Sequence, residues 1–408
     1  MTGQFTDKKK RNCVQILCLG MFAVLITCRY YVGVVNCLNT TQYAFSYKYG
    51  LVSRGVLGTV VRIINALLHI NLLNYDGIVM ISNILNLCYL IILLMFFYRI
   101  LQLAGEKYET KLLAIMFVFG VFAFPEYITE ENFGRSDICL VMITLVGCFL
   151  LLSEKLEWLL LPLIVLAMSI HQGYILMFLN VLLVILFVKI FSKEGKERAK
   201  YMVLLGSSIM IASILLIYFN FFSHQKDLSL YDEIYRNASS YAHDGVVQYN
   251  LILHEMFGIS PAADEMEEHI HNFCEFPVFL LLTSPYIVIA IRFFRGILQK
   301  SKGIIKLKYL AIAMGACTII PDLLIKIDYG RWMFSILFYY MTTILMLVAM
   351  KDDLICEQLD ISVQEIKKNN VLIIFLLIYP IMLTPLEDVN ICDFSRMIID
   401  HFITPIYP

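Results

Sequence analysis

The sequence predicts an all-α fold, a polytopic bundle of transmembrane helices with about eleven spans, within a range of roughly ten to twelve. Three observations predict it. Of the 408 residues, 60% are hydrophobic and only 16% are charged, against roughly 25% charged in an ordinary soluble domain. The apolar residues come in unbroken blocks from one end of the chain to the other. Lysine and arginine gather on alternate connectors between those blocks. Together these exclude a disordered chain, a coiled coil and an ordinary cytosolic enzyme. The net charge of −1 gives no basic field for nucleic acid.

The spans are expected at Cys13–Val35, Gly77–Tyr98, Leu112–Phe124, Ile138–Leu152, Trp158–Ile170, Gly173–Phe191, Tyr201–Phe222, Phe276–Ile291, Tyr309–Ile325, Trp332–Met350 and Val371–Leu386. The whole chain, 1–408, reads as one integral membrane domain. The first block follows a basic start (Lys8, Lys9, Lys10, Arg11) with no small-residue cleavage site after it, so it reads as a retained span. Several blocks are short. A run such as Leu112–Phe124 covers about 20 Å at 1.5 Å per residue, against a hydrocarbon core of about 30 Å. Short helices bring polar side chains to membrane depth, which requires a protein-lined or wet cavity. The eleven cysteines form no CxxC pair and read as small core residues.

With the N-terminus in the cytosol, every inner connector is basic, as at Lys189–Lys200 and Arg292–Lys308, and the C-terminal tail falls outside. Placement in a plasma (inner) membrane follows as the expected localisation. The eight histidines then all fall on the outer side, as do most of the acids. Inner connectors read as short and basic, with little chemistry; any chemistry belongs to the outer face.

The outer segments carry the candidates. Segment 36–76 contains Ser53-Arg54-Gly55 ahead of an apolar stretch too short to span, the pattern of an interfacial helix. Taken alone, Arg54 reads as a cation snorkelling to headgroups. Segment 125–137 holds Glu126, Glu130, Glu131, Arg135 and Asp137. Segment 170–174 is a tight turn with His171 and Gln172. The long loop 223–275 holds His243, His254-Glu255 and His269-Ile270-His271. A final segment holds Asp322, Asp328 and Arg331. His254-Glu255-Met256-Phe257-Gly258 lacks the second histidine of a zinc HExxH helix, His269 and His271 with Glu267 and Glu268 could bind a cation but read as a solvated charged loop, and no phosphate loop or dinucleotide fingerprint occurs, so no metal and no other cofactor is expected. Asn39-Thr40-Thr41 and Asn237-Ala238-Ser239 fit the glycosylation sequon.

Phe133-Gly134-Arg135 and Tyr329-Gly330-Arg331 repeat an aromatic-Gly-Arg pattern, each opening a helix that enters from outside. Free N–H groups at a helix start, with a guanidinium beside them, make a seat for a diphosphate or carboxylate. For either arginine alone, closing the helix hairpin on a neighbouring acid is an equal reading; the repetition at one face favours binding. Arg54 supplies a third cation. His171, in a turn after a short helix, reads as a general base near neutral pH, with a turn histidine bonded to a backbone carbonyl as the alternative reading.

The stretch 112–191, with Asn132-Phe133-Gly134-Arg135-Ser136-Asp137 and then Met168-Ser169-Ile170-His171-Gln172, resembles the Wzy-type and EpsG-type polysaccharide polymerases, which are membrane glycosyltransferases. The rest of the chain matches them by topology alone. The wider GT-C glycosyltransferases usually carry acids in the first outer loop; here none occurs before Asp76. The resemblance implies sugars on a polyprenyl diphosphate carrier, handled at the outer face without metal, with other glycan-assembly proteins as partners. It implies that Arg54, Arg135 and Arg331, with Gln172 and Asp328, bind substrate. His171 would take the proton, with Glu126 or Asp137 as the competing base. Two further readings fit the composition: a transporter or flippase for a sugar-lipid or anionic solute, and a structural or assembly protein using the loop 223–275.

Overall fold

The computed structural model describes residues 2–129, 131–259, 276–325 and 329–383. Among them every regular element is helical. In chain order these are α1 (Thr2–Tyr30), α2 (Cys37–Gln42), α3 (Gly55–Leu68), α4 (Tyr75–Leu103), α5 (Glu106–Ala123), α6 (Asp137–Ser153), α7 (Leu160–Ile170), α8 (Tyr174–Met177), α9 (Leu179–Ser192) and α10 (Gly195–Phe221). They continue with α11 (Leu230–Tyr241), α12 (Tyr249–Phe257), α13 (Phe276–Lys300), α14 (Gly303–Met314), α15 (Ile320–Ile325), α16 (Tyr329–Ala349), α17 (Asp353–Lys367) and α18 (Asn370–Leu383). Short 3-10 turns lie at Tyr47–Tyr49, Glu157–Leu159 and Gly315–Ile319.

The apolar blocks are helices, as expected for an α-helical membrane bundle. Five are long and apolar enough to cross a bilayer: α1 from Lys8, α4, α10, α13 from Phe279, and α16. The other apolar helices are shorter: α3, α6, the 157–170 stretch ending in α7, α9, and α18 as far as Ile381. The block at 173–191 breaks at Phe178, where the backbone leaves helical geometry between α8 and α9. The block at 309–325 is built of α14, a 3-10 turn and α15. In the last expected span, residues 384–386 lie outside the described residues.

The chain forms two compact units. The first comprises 1–26, 97–126 and 263–408. Its centre is α16, whose spanning stretch is almost wholly buried. That burial explains a helix carrying Ser335, Tyr339, Thr342 and Thr343 among its apolar residues: they face protein, not lipid. Tyr339 donates its hydroxyl to the Ile312 carbonyl at 2.6 Å, tying α16 to α14. Phe22 of α1 stacks on Phe117 of α5 at 4.4 Å.

At one end of this unit the charges pair. Arg11 reaches Glu109 and Glu106; Lys107 and Lys111 both reach Asp360; Lys308 reaches Asp352 at 2.8 Å and Lys300 reaches Glu357 at 2.7 Å. The sequence reads 351–370 as a plain basic connector. It folds instead into the amphipathic helix α17, capped by Asp352, whose side chain accepts from Ile355 N. Its acids hold lysines from three other helices.

The second unit comprises 27–96 and 127–262. Helices α6, α7, α9 and α10 pack together in it. One end is again ionic. Glu154, just past α6, takes Lys189 and Lys193 of α9, and Glu157 takes Lys200 and the hydroxyl of Tyr201 of α10. The opposite ends of α6 and α7 carry Asp137 and His171. About 25 Å of helix separates Asp137 from Glu154. At that far end α2, α3, α11 and α12 form a cap around Tyr43, Phe45, Val52, Phe133, Ile234 and Ile252.

The cysteines are only partly core. Cys139, Cys148 and Cys356 are buried, but Cys13, Cys18, Cys28 and Cys88 are exposed on α1 and α4, where a small apolar side chain suits a lipid-facing surface.

Candidate functional site

The site is assembled at the capped end of the second unit. Residues 53–55 turn sharply before α3. Arg54 adopts the left-handed conformation (φ 58°, ψ 10°), which costs a residue with a Cβ roughly 1–2 kcal/mol. Gly55 follows because its neighbour allows nothing larger: a Cβ there would stand 2.7 Å from the Tyr47 ring. Three residues on, Gly58 lies against backbone, with a Cβ position 2.0 Å from the Phe45 carbonyl oxygen. These contacts fix the start of α3 and aim Arg54 toward the end of α7, against which α3 packs.

There Arg54 Nη2 lies 2.9 Å from His171 Nε2 and 3.1 Å from Glu255 Oε1. Its Nε is buried with no hydrogen-bond partner among the described residues. His171 caps α7, donating its backbone N–H to Ala167. Its ring Nδ1 accepts the Gly173 N–H at 2.8 Å. Donors thus face both ring nitrogens, and a neutral imidazole has one lone pair to offer them. Ser53 bonds Gln172 in the same turn. Arg54, His171 and Gln172, separate in the sequence reading, come together here.

Glu255 is the member that sequence reasoning missed. It is 4% exposed. Burial by itself would raise its carboxyl; the charge of Arg54, the hydrogen bond from His254 and the neighbouring His171 outweigh burial and hold it far below the usual carboxylate range. His254 Nδ1 is 3.6 Å from the same oxygen. The position of Glu255 follows from how α12 ends. Gly258 takes a left-handed conformation (φ 67°), its N–H bonds the His254 carbonyl and Ile259 N–H bonds that of Leu253, a Schellman closure. A signal was present in the sequence: Ile252, Glu255 and Met256 share one helical face, so the acid interrupts an apolar stripe.

Arg135 and Asp137 belong to the same unit and are both buried. They sit on a turn held by α2. Asn39 donates to the carbonyls of Glu131 and Phe133, Asn36 donates to Glu131, and Ser136 donates to Gln42 at 3.1 Å. Gly134 is left-handed (φ +88°), and a Cβ there would meet Val35 at 2.8 Å and Ser82 at 3.1 Å. Helix α2 also packs on α3 and α12, so one short helix braces both arginine turns. Asn39 is fully buried and already bonded, so the folded chain does not present that sequon.

Glu126 is buried in the first unit, beyond the end of α5. Arg331 is in α16 of that unit, its guanidinium 5.2 Å from the Trp332 ring centre. Asp328 lies outside the described residues, as do Glu130 and His269-Ile270-His271. Among the described residues no group of three or more His, Cys, Asp or Glu is arranged to hold a metal ion.

The arrangement offers a guanidinium, an imidazole and a carboxylate within direct contact at one end of a helix bundle. Chemically, such a set can bind an anion and accept or donate a proton. Compared with known proteins, the chain matches no family model, no curated protein and no solved structure.

Proposed function

We propose that this protein is a membrane glycosyltransferase, of the polysaccharide-polymerase kind, acting at the outer face on sugars carried by a polyprenyl diphosphate. The observation that carries the reading is the Arg54–His171 contact: an anion-binding group and a proton acceptor meet at the end of a short helix, far from the lysine-rich end of the same unit. On this reading the lysine-rich ends face the cytosol and the shorter apolar helices complete a set of about eleven crossings. The short helices leave room for a lipid-borne substrate to enter sideways.

In the reaction an acceptor hydroxyl attacks the anomeric carbon of the donor sugar. The bond from that carbon to the diphosphate oxygen breaks and the lipid diphosphate leaves with the electron pair. Arg54 and Arg135 stabilise the charge that develops on it. The hydroxyl proton passes to the His171 imidazole, with the Asp137 carboxylate next in line.

The test is genetic. Arg54→Gln, Arg135→Gln or His171→Asn, introduced singly, shortens or abolishes the surface glycan while the protein accumulates normally in the membrane. Glycan of unchanged chain length at normal protein level defeats the proposal. Loss of lipid-linked sugar from the outer leaflet, with polymerising activity intact, would point to a flippase instead.

A further inference from the structure

Arg54 touches its surroundings through a single nitrogen. Nη2 meets both His171 and Glu255, Nε is buried and unbonded among the described residues, and neither ion pair nor hydrogen bond from Nη1 occurs among them. A guanidinium is built to grip two oxygens at once along an edge. Among the described residues the one anion it holds is an oxygen of a buried carboxylate from α12, offered at 3.1 Å. A carboxylate in such a place stands where an oxygen of a tetrahedral anion would stand.

From this geometry we infer that Glu255 is a resident anion, an internal occupant of the Arg54 seat that an incoming diphosphate displaces. The inference rests on the proposed diphosphate site and adds a residue and a mechanism of entry to it. When the diphosphate arrives, Arg54 turns its free edge onto two phosphate oxygens and releases Glu255. Glu255 keeps His254, 3.6 Å away, as its partner after release. It is a positioning residue, acting through Arg54.

The test uses the full chain in nanodiscs of zwitterionic lipid, titrated calorimetrically with inorganic pyrophosphate. If Glu255 competes for Arg54, Glu255→Gln binds pyrophosphate about tenfold more tightly than the unaltered chain. Arg54→Gln loses binding with or without the change at 255. Glu255→Asp, which keeps the charge but draws it back from Arg54, falls between, and supplies the result if the glutamine variant melts early. Equal or weaker binding by both variants, in chains with unchanged thermal melts, overturns the inference and makes Glu255 a simple brace for Arg54. Polyprenyl diphosphate placed in the disc distinguishes the source of the anion. Displacement of pyrophosphate by the lipid assigns the seat to a lipid headgroup, and a lack of displacement assigns it to a free diphosphate; tighter binding by Glu255→Gln supports the exchange in either case. The glycosyltransferase reading is judged separately: glycan that depends on Arg54 with no tightening at Glu255→Gln sinks this inference alone, whereas tightening with glycan indifferent to Arg54 sinks the transferase and leaves the anion exchange standing.

Discussion

Asn39 donates its side-chain amide to the carbonyl of Phe133 at 2.9 Å, across 94 positions of sequence. With its second bond to Glu131, it sets the backbone that delivers Arg135. Asn39→Ala removes the side-chain donor to the Phe133 carbonyl, while Glu131 keeps the one from Asn36, and lowers stability by about 1–3 kcal/mol. Asn39→Asp, nearly isosteric but lacking the N–H donors, does no better. Thermal unfolding in detergent reads both, and a melt unchanged by either would mean the turn is fixed elsewhere.

Glycines in this chain separate cleanly by what a Cβ would meet. At Gly134 the obstacle is a flexible side chain, Val35, together with a left-handed backbone. At Gly58 it is backbone oxygen at 2.0 Å, which cannot give. At Gly206, on α10, nothing stands within 4 Å. Alanine at 206 is therefore neutral or stabilising by up to about 1 kcal/mol. Alanine at 134 costs about 1–3 kcal/mol, part of it recovered by Val35→Ala. Alanine at 58 prevents correct docking of α3 and lowers membrane expression most. Fluorescence size-exclusion profiles of the three variants give the order directly.

Legibility in the sequence followed the physics of each element. The long apolar helices were plain because hydrophobic run length alone determines them. The tight turn at His171 was plain because two apolar blocks flank it. Short α2, and the amphipathic α11, α12 and α17, were not. Their hydrophobic stripes match surfaces brought together only by folding, as when Asp360 on α17 meets Lys107 and Lys111 on α5. Arg54 was named as a third cation, but its contact with His171 spans 117 positions and no local pattern encodes it. Glu255 reads in the sequence only as part of an incomplete metal motif, although an acid on the Ile252–Met256 face points to a buried partner.

The buried pair Arg54 and Glu255 predicts strong non-additivity. Arg54→Gly relieves the left-handed backbone, yet it leaves Glu255 charged, buried and without its main counter-ion. That loss outweighs the relief, and the single variant is destabilised by about 3 kcal/mol. In a Glu255→Gln background the same Arg54→Gly change costs little, because no carboxylate is stranded. A double-mutant cycle on thermal or denaturant unfolding measures the coupling. Additive effects would show that the 3.1 Å contact contributes nothing to folding.

The ionic end of the second unit gives a pH prediction with a definite sign. Glu154 accepts from Lys189 and Lys193, and these hydrogen bonds, with the lysine charges, lower its carboxyl to about 2. A carboxyl whose pKa is lowered in the folded state adds stability that grows with pH wherever the unfolded chain binds more protons than the folded one. The contribution is therefore complete above an ordinary glutamate pKa near 4.5 and fades as pH falls toward about 2. Glu154 is about half exposed, so solvent screening keeps its worth near 1 kcal/mol. The comparison is Glu154→Gln against the unaltered chain across pH. The variant melts lower at pH 7, and the gap narrows progressively below about pH 4.5. Were the gap to stay constant down to about pH 2, packing and not charge would be what joins Glu154 to Lys189.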